Sequence, residues 1–280
     1  MTKENATSKA IDINFKLSAY HAPMHEHKYG SRVHLLSDPI MQSVLARIGR
    51  SETKLPHLNT LMAMAYKTLV QTAINTLLPT EEVRWDTRMK EFCSEGVFVG
   101  DIIRPRTKSV VVDLARAGTF PSHLCFETLN IICEPDDVRQ DHFYINRKTD
   151  DEGKVIGVDV SGSKIGGGQE DAFVFFPDPM GATGGSISHC VQHYKENVSG
   201  QARKYIALHL IVTPEYLARM AKDHPDVEVF ALRLDRGLSS PDVLKTIPGT
   251  HWEQERGLTD NQYIVPGAGG VGEILNNSYV

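Results

Sequence analysis

Asp178, Thr183 and Ser186 lie close together, with Pro179, Met180, Gly181, Ala182, Gly184 and Gly185 between them. An acid followed by a turn of small residues, with two glycines and two hydroxyls, suits a loop that holds an anion through main-chain N–H groups. The residues before it, Ala172-Phe173-Val174-Phe175-Phe176, form an apolar run short enough for a buried strand. Ile187, Val191 and Tyr194 then recur at helical spacing. The turn is therefore predicted between a strand and a helix N-terminus, where unpaired N–H groups and the positive end of the helix dipole favour phosphate. No lysine follows the glycines, so this is not a Walker loop. The expected ligand is a phosphorylated sugar.

The elements around this turn alternate. Ser109–Val112 is predicted as a strand, with Asp113–Gly118 as the turn after it and a helix opening at Pro121. Asp141–Asn146 is predicted as a short strand, and Arg147–Gln169 as a polar, glycine-rich flexible hairpin or lid. Tyr205–Val212, Pro214–Lys222 and Val227–Asp235 read as strand, helix and strand. This order is that of an α/β protein with a parallel sheet and crossover helices, in which ligands bind at the C-terminal strand ends.

Upstream, Asp38–Pro79 is helical in pattern. Leu58, Leu61, Met62, Ala65, Leu69, Ala73 and Leu77 form one apolar stripe, read as core or subunit-interface packing. Arg47, Arg50, Lys54 and His57 lie in a link read as a solvated basic loop. Residues 1–30 are polar and aperiodic, so a mobile or partner-dependent arm is expected, with the boundary set at 1–37 and one domain over 38–280. His21, His25, His27 and His34 have no helix to align them and are read as a solvated tract, not a metal site.

Gly267-Ala268-Gly269-Gly270-Val271-Gly272 matches the dinucleotide fingerprint Gly-x-Gly-x-x-Gly. That fingerprint needs a following helix and an acid on the next strand, and eight residues follow Gly272 here. The dinucleotide reading is rejected, leaving a loop with exposed amides suited to a flat polar ligand.

With 280 residues, 41% hydrophobic and 23% charged, the chain has the composition of a soluble globular protein with a substantial core. A net charge of −5 argues against nucleic acid as the main partner. There is no transmembrane run and no apolar secretory signal at the start, so no membrane role is expected. Cys93, Cys125, Cys133 and Cys190 form neither a metal-ligand pair nor a disulfide framework, which fits a reducing cytoplasm.

The stretch Asp178-Pro179-Met180-Gly181-Ala182-Thr183-Gly184-Gly185-Ser186 resembles the phosphoribosyl pyrophosphate (PRPP) motif of the uracil phosphoribosyltransferases, usually Asp-Pro-Met-Leu-Ala-Thr-Gly-Gly-Ser. The likeness continues through Leu114–Gly118, Thr213-Pro214-Glu215, His224–Val227, Leu234–Leu238 and Tyr263–Gly267, the last similar to the family's uracil-binding hood. Lys164 stands at the spacing of a family lysine.

The resemblance implies a type I phosphoribosyltransferase: a parallel sheet flanked by helices, with a small C-terminal hood and an N-terminal helical arm. It implies transfer of ribose 5-phosphate from PRPP to uracil or a related base, giving UMP and pyrophosphate in pyrimidine salvage. Magnesium would be carried with PRPP, and the protein would be a homodimer or higher homo-oligomer.

On the same ground, Ala182, Thr183, Gly184, Gly185 and Ser186 would hold the 5-phosphate. Asp178 would accept from the ribose hydroxyls and balance charge on the reacting ring. Pro179, Met180 and Gly181 complete that loop. Arg116 with the amides of Ala117 and Gly118 would grip pyrophosphate, and Arg147 is the nearest match to a second family arginine. Asp178 and Arg116 are the catalytic candidates. Tyr263, Ile264, Gly269, Gly270 and Val271 would face the base, largely through their main chain.

Two departures matter. Gly270 stands where the family has an aspartate, and Glu273 where it has a second one. An insertion of about twenty residues, at 239–262, brings Trp252, Glu253 and Glu255 beside the base site. It either restores the missing carboxylate, enlarges the pocket or blocks it. A non-catalytic PRPP- or nucleotide-binding regulator, or a transferase for a different base, are the alternatives to uracil transfer.

Overall fold

A computed structural model describes residues 11–149 and 155–278, with side chains of 146–160 outside the description. In chain order the strands and helices are β1 (Val33–Leu35), α1 (Pro39–Ile48), α2 (His57–Leu77), β2 (Thr80–Asp86), β3 (Val97–Ile103), β4 (Ser109–Ala115) and α3 (Thr119–Ile132). There follow β5 (Val138–Thr149), β6 (Val155–Lys164), β7 (Phe173–Pro177), β8 (Met180–Gly181), α4 (Gly185–Asn197), β9 (Lys204–Val212), α5 (Pro214–Asp223), β10 (Glu228–Leu234), α6 (Pro241–Leu244) and α7 (Val271–Asn276).

The central sheet runs β1-β10-β9-β7-β4-β5-β6, parallel throughout except where β6 returns antiparallel to β5. Its inner strands are apolar on both faces, as a sheet covered by helices on each side requires. Val111, Phe173, Phe175, Ile206, Leu208 and Phe230 pack with α1, α2 and α3, whereas Val110, Val112, Val174, Phe176 and Ala207 pack with α4 and α5. Each fully buried side chain of this size contributes about 1.5–3 kcal/mol.

Local signals place the helix starts. Asp38 caps α1 by accepting from the amides of Ile40 (2.8 Å) and Met41 (3.0 Å), with Pro39 at the first helical position. Thr213 caps α5 in the same way, with Pro214 following it. The predicted stripe on α2 is buried from Leu58 to Ala73, while Leu77 packs at its edge.

Some sequence expectations are corrected. β4 continues through Asp113–Ala115, so the turn after it begins at Arg116. β5 runs from Val138 to Thr149, longer than Asp141–Asn146, because β6 pairs along it. Of the two readings of Arg147–Gln169, hairpin or lid, the antiparallel pairing of β5 with β6 gives the hairpin. Within the expected arm, β1 pairs with β10 and Tyr29 is buried, so this part is held by the sheet. Residues 1–10 of the arm lie outside the described residues. Cys125 and Cys190 are buried free thiols, and burial pushes both well above the ordinary thiol range.

Candidate functional site

Three parallel strands end at the C-terminal edge of the sheet, β4 beside β7 and β10 one strand further across β9, and each releases one of the loops picked out in the sequence. β4 releases Arg116–Gly118, β7 releases Asp178–Gly184, and β10 leads through Asp235 to the hood. The first loop lies against the last residue of β7, where the second loop begins. A Cβ built on Gly118 would stand 3.0 Å from the carbonyl oxygen of Pro177, so only glycine allows this approach without a shift.

The Asp178 loop is stitched to β9 along its length. The Asp178 amide donates to the Leu208 carbonyl (3.1 Å), and the Pro179 carbonyl accepts from the amides of Leu210 and Ile211 (3.0 and 3.2 Å). Met180 and Gly181 pair with Ile211 and Val212 as β8, and the Thr213 hydroxyl donates to the Ala182 carbonyl (2.7 Å). Gly184 then adopts φ 76°, a left-handed turn that glycine enters at low cost, and α4 begins. The 13-residue helix directs its first-turn amides toward the loop that Thr183 and Ser186 flank. Five consecutive residues of stitching, Asp178 to Ala182, make the loop a preformed cradle.

Gly181, the one motif position that differs from the usual leucine, has a local cause. A Cβ there would meet Val212 Cγ1 at 2.9 Å and the Tyr216 ring at 3.2 Å. Gly181→Leu is expected to destabilise the protein by about 1–3 kcal/mol through overpacking, read as a lower midpoint in denaturant with an unchanged slope.

His209 and Tyr216 support the loop from inside the core, a role that no spacing in the sequence signals. His209 is fully buried, and its Nδ1 lies 2.6 Å from the Asp178 carbonyl oxygen. A carbonyl can only accept, so Nδ1 carries the proton and Nε2 accepts from the Tyr216 hydroxyl at 2.6 Å. Burial lowers the His209 pKa from 6.5 to about 4, which keeps the ring neutral.

Between pH 6.5 and about 4 the unfolded chain binds a proton on this ring that the folded protein does not. Its contribution is intact above 6.5 and is lost as pH falls, reaching about 3 kcal/mol near pH 4. Denaturant titrations at neutral pH and near pH 4 are expected to show this slope. His209→Gln, which keeps a donor and an acceptor, is expected to flatten it.

The hood is anchored through Asp235. This buried carboxylate accepts from Arg233 (2.6 and 2.7 Å) and from the Gly267 amide (2.7 Å), while the Gly237 amide donates to the Val265 carbonyl (3.0 Å). Ile264, Ala268 and Val271 turn their side chains into the core, so the hood offers a ligand mainly main-chain groups at these positions. Tyr263 is exposed, and Gly269, at φ 70°, faces open space. Contrary to the sequence expectation, a helix does follow the glycines, α7. Among the described residues no strand comes after it, so the dinucleotide reading still lacks its acid.

α7 rests on the Arg116 loop. A Cβ on Gly272 would lie 2.9 Å from Ala117 Cβ, and Arg116 donates to the Ser278 hydroxyl (2.7 Å). The structure thus brings Arg116, Ala117 and Gly118 beside the Asp178–Ser186 loop and sets the hood helix against them. Arg147 stands on β5, and its side chain lies outside the described residues. Arg50, Lys54 and Lys164 are exposed.

The insertion at 239–262 uses its side chains elsewhere. Glu255 is buried and accepts from Arg236 (2.7 Å), the Gly249 amide (2.9 Å) and the Tyr29 hydroxyl. Trp252 donates to the Pro214 carbonyl (3.0 Å) and packs edge-on against Tyr29. Glu253 is exposed. Trp252 and Glu255 therefore tie the insertion to the N-terminal segment and do not replace the missing hood carboxylate.

A family profile described as uracil phosphoribosyltransferase matches residues 35–251. A uracil phosphoribosyltransferase of Variovorax paradoxus (strain S110) is 26% identical over 248 residues, covering 87% of this chain and 97% of the relative. A uracil phosphoribosyltransferase of Chlamydia muridarum (strain MoPn / Nigg) is 34% identical over 105 residues, and this match spans 38% of the chain and 27% of that relative's length. A solved protein from Aquifex aeolicus shares the fold, with TM-score 0.66 at 21% identity over 87% of this chain and 97% of its own. The match runs from β1 into the insertion and takes in the Arg116 and Asp178 loops, so this chain belongs to the uracil phosphoribosyltransferase family and has its mainly parallel sheet flanked by helices.

Proposed function

We propose that the protein transfers the ribose 5-phosphate of PRPP to uracil, giving UMP and pyrophosphate. The observation that carries this reading is that the Arg116–Gly118 turn and the Asp178–Ser186 cradle leave adjacent strands at one sheet edge, with Gly118 packed on Pro177 at the foot of the cradle. One loop is suited to the 5-phosphate and the other to pyrophosphate, on either side of a single anomeric carbon. In this mechanism the C–O bond to pyrophosphate weakens while the base nitrogen approaches, and positive charge develops on the ribose ring. Asp178 would balance that charge and accept from the ribose hydroxyls, and Arg116 would hold the departing pyrophosphate. No covalent enzyme intermediate is required; positioning and electrostatics carry the reaction.

Magnesium is proposed to arrive on PRPP oxygens, as part of the substrate. Among the described residues no group of three or more His, Cys, Asp or Glu is gathered to hold a metal ion. A homodimer or higher homo-oligomer is also proposed. Trp85 on β2 and Phe92 after it are exposed on the β2–β3 hairpin, an apolar surface suited to a second copy.

Incubation with PRPP, magnesium and a panel of bases is expected to release pyrophosphate with uracil first among them. Release with another base alone would make this a transferase for that base. Gly270, which presents no side chain to a base, favours the second reading of a PRPP- or nucleotide-binding regulator. Binding of PRPP by calorimetry, with no turnover on any base, would establish that reading in place of the first.

A further inference from the structure

The backbone of Asp178 is gripped from both faces of the sheet by fully buried side chains. On one face its amide donates to the Leu208 carbonyl (3.1 Å), which also takes the Tyr66 hydroxyl of α2 (3.3 Å). On the other its own carbonyl accepts from His209 Nδ1 (2.6 Å), and His209 Nε2 accepts from the Tyr216 hydroxyl of α5 (2.6 Å). Burial, with the Asp178 charge adding to it, raises both tyrosine hydroxyls well above the ordinary range, so each stays a donor. With the peptides on both sides of the Asp178 Cα fixed, the aim of its carboxylate is left to side-chain rotamers alone. Tyr216 also touches the loop at its one departure from the usual motif. A Cβ on Gly181 would stand 3.2 Å from the Tyr216 ring, so the bare glycine lets that ring lie where its hydroxyl reaches His209. Moving the ring aside would break the bond and leave a buried acceptor unpaired.

We propose that Gly181, Tyr216 and His209 form a positioning line behind Asp178, in which Gly181 admits the Tyr216 ring, Tyr216 holds the His209 ring and His209 aims Asp178. This rests on the transferase reading above. His209 and Tyr216 are 0% exposed beneath the loop, so they act through Asp178 and not on a substrate. Misplacing a reacting group by about 1 Å can cost about 10²-fold in rate, even when the change lies away from the chemistry. A charge that matters most as the ribose ring becomes positive is felt in the transition state more than in substrate binding. Gly181 is then more than a packing accident: it is the opening through which α5 reaches the Asp178 peptide.

Two double-mutant cycles in pyrophosphate release with uracil test the line. His209→Leu is expected to lower kcat about tenfold to a hundredfold, with the KM for PRPP within about threefold of the wild type. In the Asp178→Asn background the same substitution is expected to cost less than about threefold, because the charge that His209 aims is already gone. His209→Gln, which keeps a donor and an acceptor, is expected to bring kcat back to within about fivefold of the wild type. Gly181→Ala and Tyr216→Phe are each expected to lower kcat about threefold to tenfold, and together by no more than the larger of the two, since both act on one bond. If His209→Leu does not fold, this second cycle decides. Independent, multiplying losses in either cycle would overturn the proposal. So would a His209→Leu loss that falls on the KM for PRPP, or no recovery in His209→Gln. A wild type without turnover on any base would remove the transferase reading and this proposal with it, whereas an active wild type with independent losses removes this proposal alone.

Discussion

Asp178→Asn is expected to lower the rate of pyrophosphate release about 10²–10³-fold while leaving the thermal midpoint almost unchanged. Asparagine has nearly the shape of aspartate but no charge, and the loop that carries it is held by main-chain bonds. The amide of residue 178 would still donate to Leu208, and its carbonyl would still accept from His209. What would be lost, on the proposed mechanism, is the negative charge set to face the ribose, whose value is greatest when the ring carries positive charge and least in the ground state. The expected signature is a fall in kcat with PRPP affinity within a few-fold of the wild type, checked by single-turnover kinetics beside calorimetry. A loss under about tenfold in kcat would remove Asp178 from the reaction.

The second large effect concerns stability. Glu255→Ala is expected to cost about 3–5 kcal/mol, because it strips the partner from a buried charge. Glu255 is 1% exposed, and the Arg236 guanidinium lies against it at 2.7 Å. Arg236 would keep its bonds to the carbonyls of Val243, Leu244 and Thr246, none of which neutralises it. The same carboxylate takes the Tyr29 hydroxyl, so the N-terminal segment would loosen as well. Tyr29→Phe, which removes one hydrogen bond and keeps the ring against Trp252, is expected to cost only about 1 kcal/mol. Urea titrations of the two variants check the ranking. Because Glu255 points into this network, base selectivity is expected to survive in whatever folded fraction remains.

These two residues differ in how they reveal themselves. Asp178 belongs to a contiguous run in which strand, turn and helix start are all encoded within fifteen residues, 172–186, so its local setting was legible without coordinates. The alternation of apolar runs with helical stripes likewise announced a parallel sheet, since strands buried on both faces are apolar throughout. Glu255 looked like a candidate for the base site because it is near Tyr263 in the chain. Its carboxylate instead reaches Tyr29, 226 residues away, a contact that spacing cannot express. His209 was hidden for a related reason: a histidine within an apolar strand carries no sign of which carbonyl it will meet. β6 was read only within a flexible hairpin or lid because its glycines and flanking polar residues masked the alternation of Ile156, Val158 and Val160, and pairing with β5 fixes it as a strand.

The sequence by itself determined the cradle, its family and the loss of a side chain at Gly270, because each is a property of consecutive residues and short-range backbone geometry. Only the tertiary structure decided where the carboxylates go. Glu255 is committed to the core between the insertion and the N-terminal segment, and Glu273 lies over the bare Gly270. A side chain's direction is set by the elements packed around it, and for Glu255 those elements come from opposite ends of the chain.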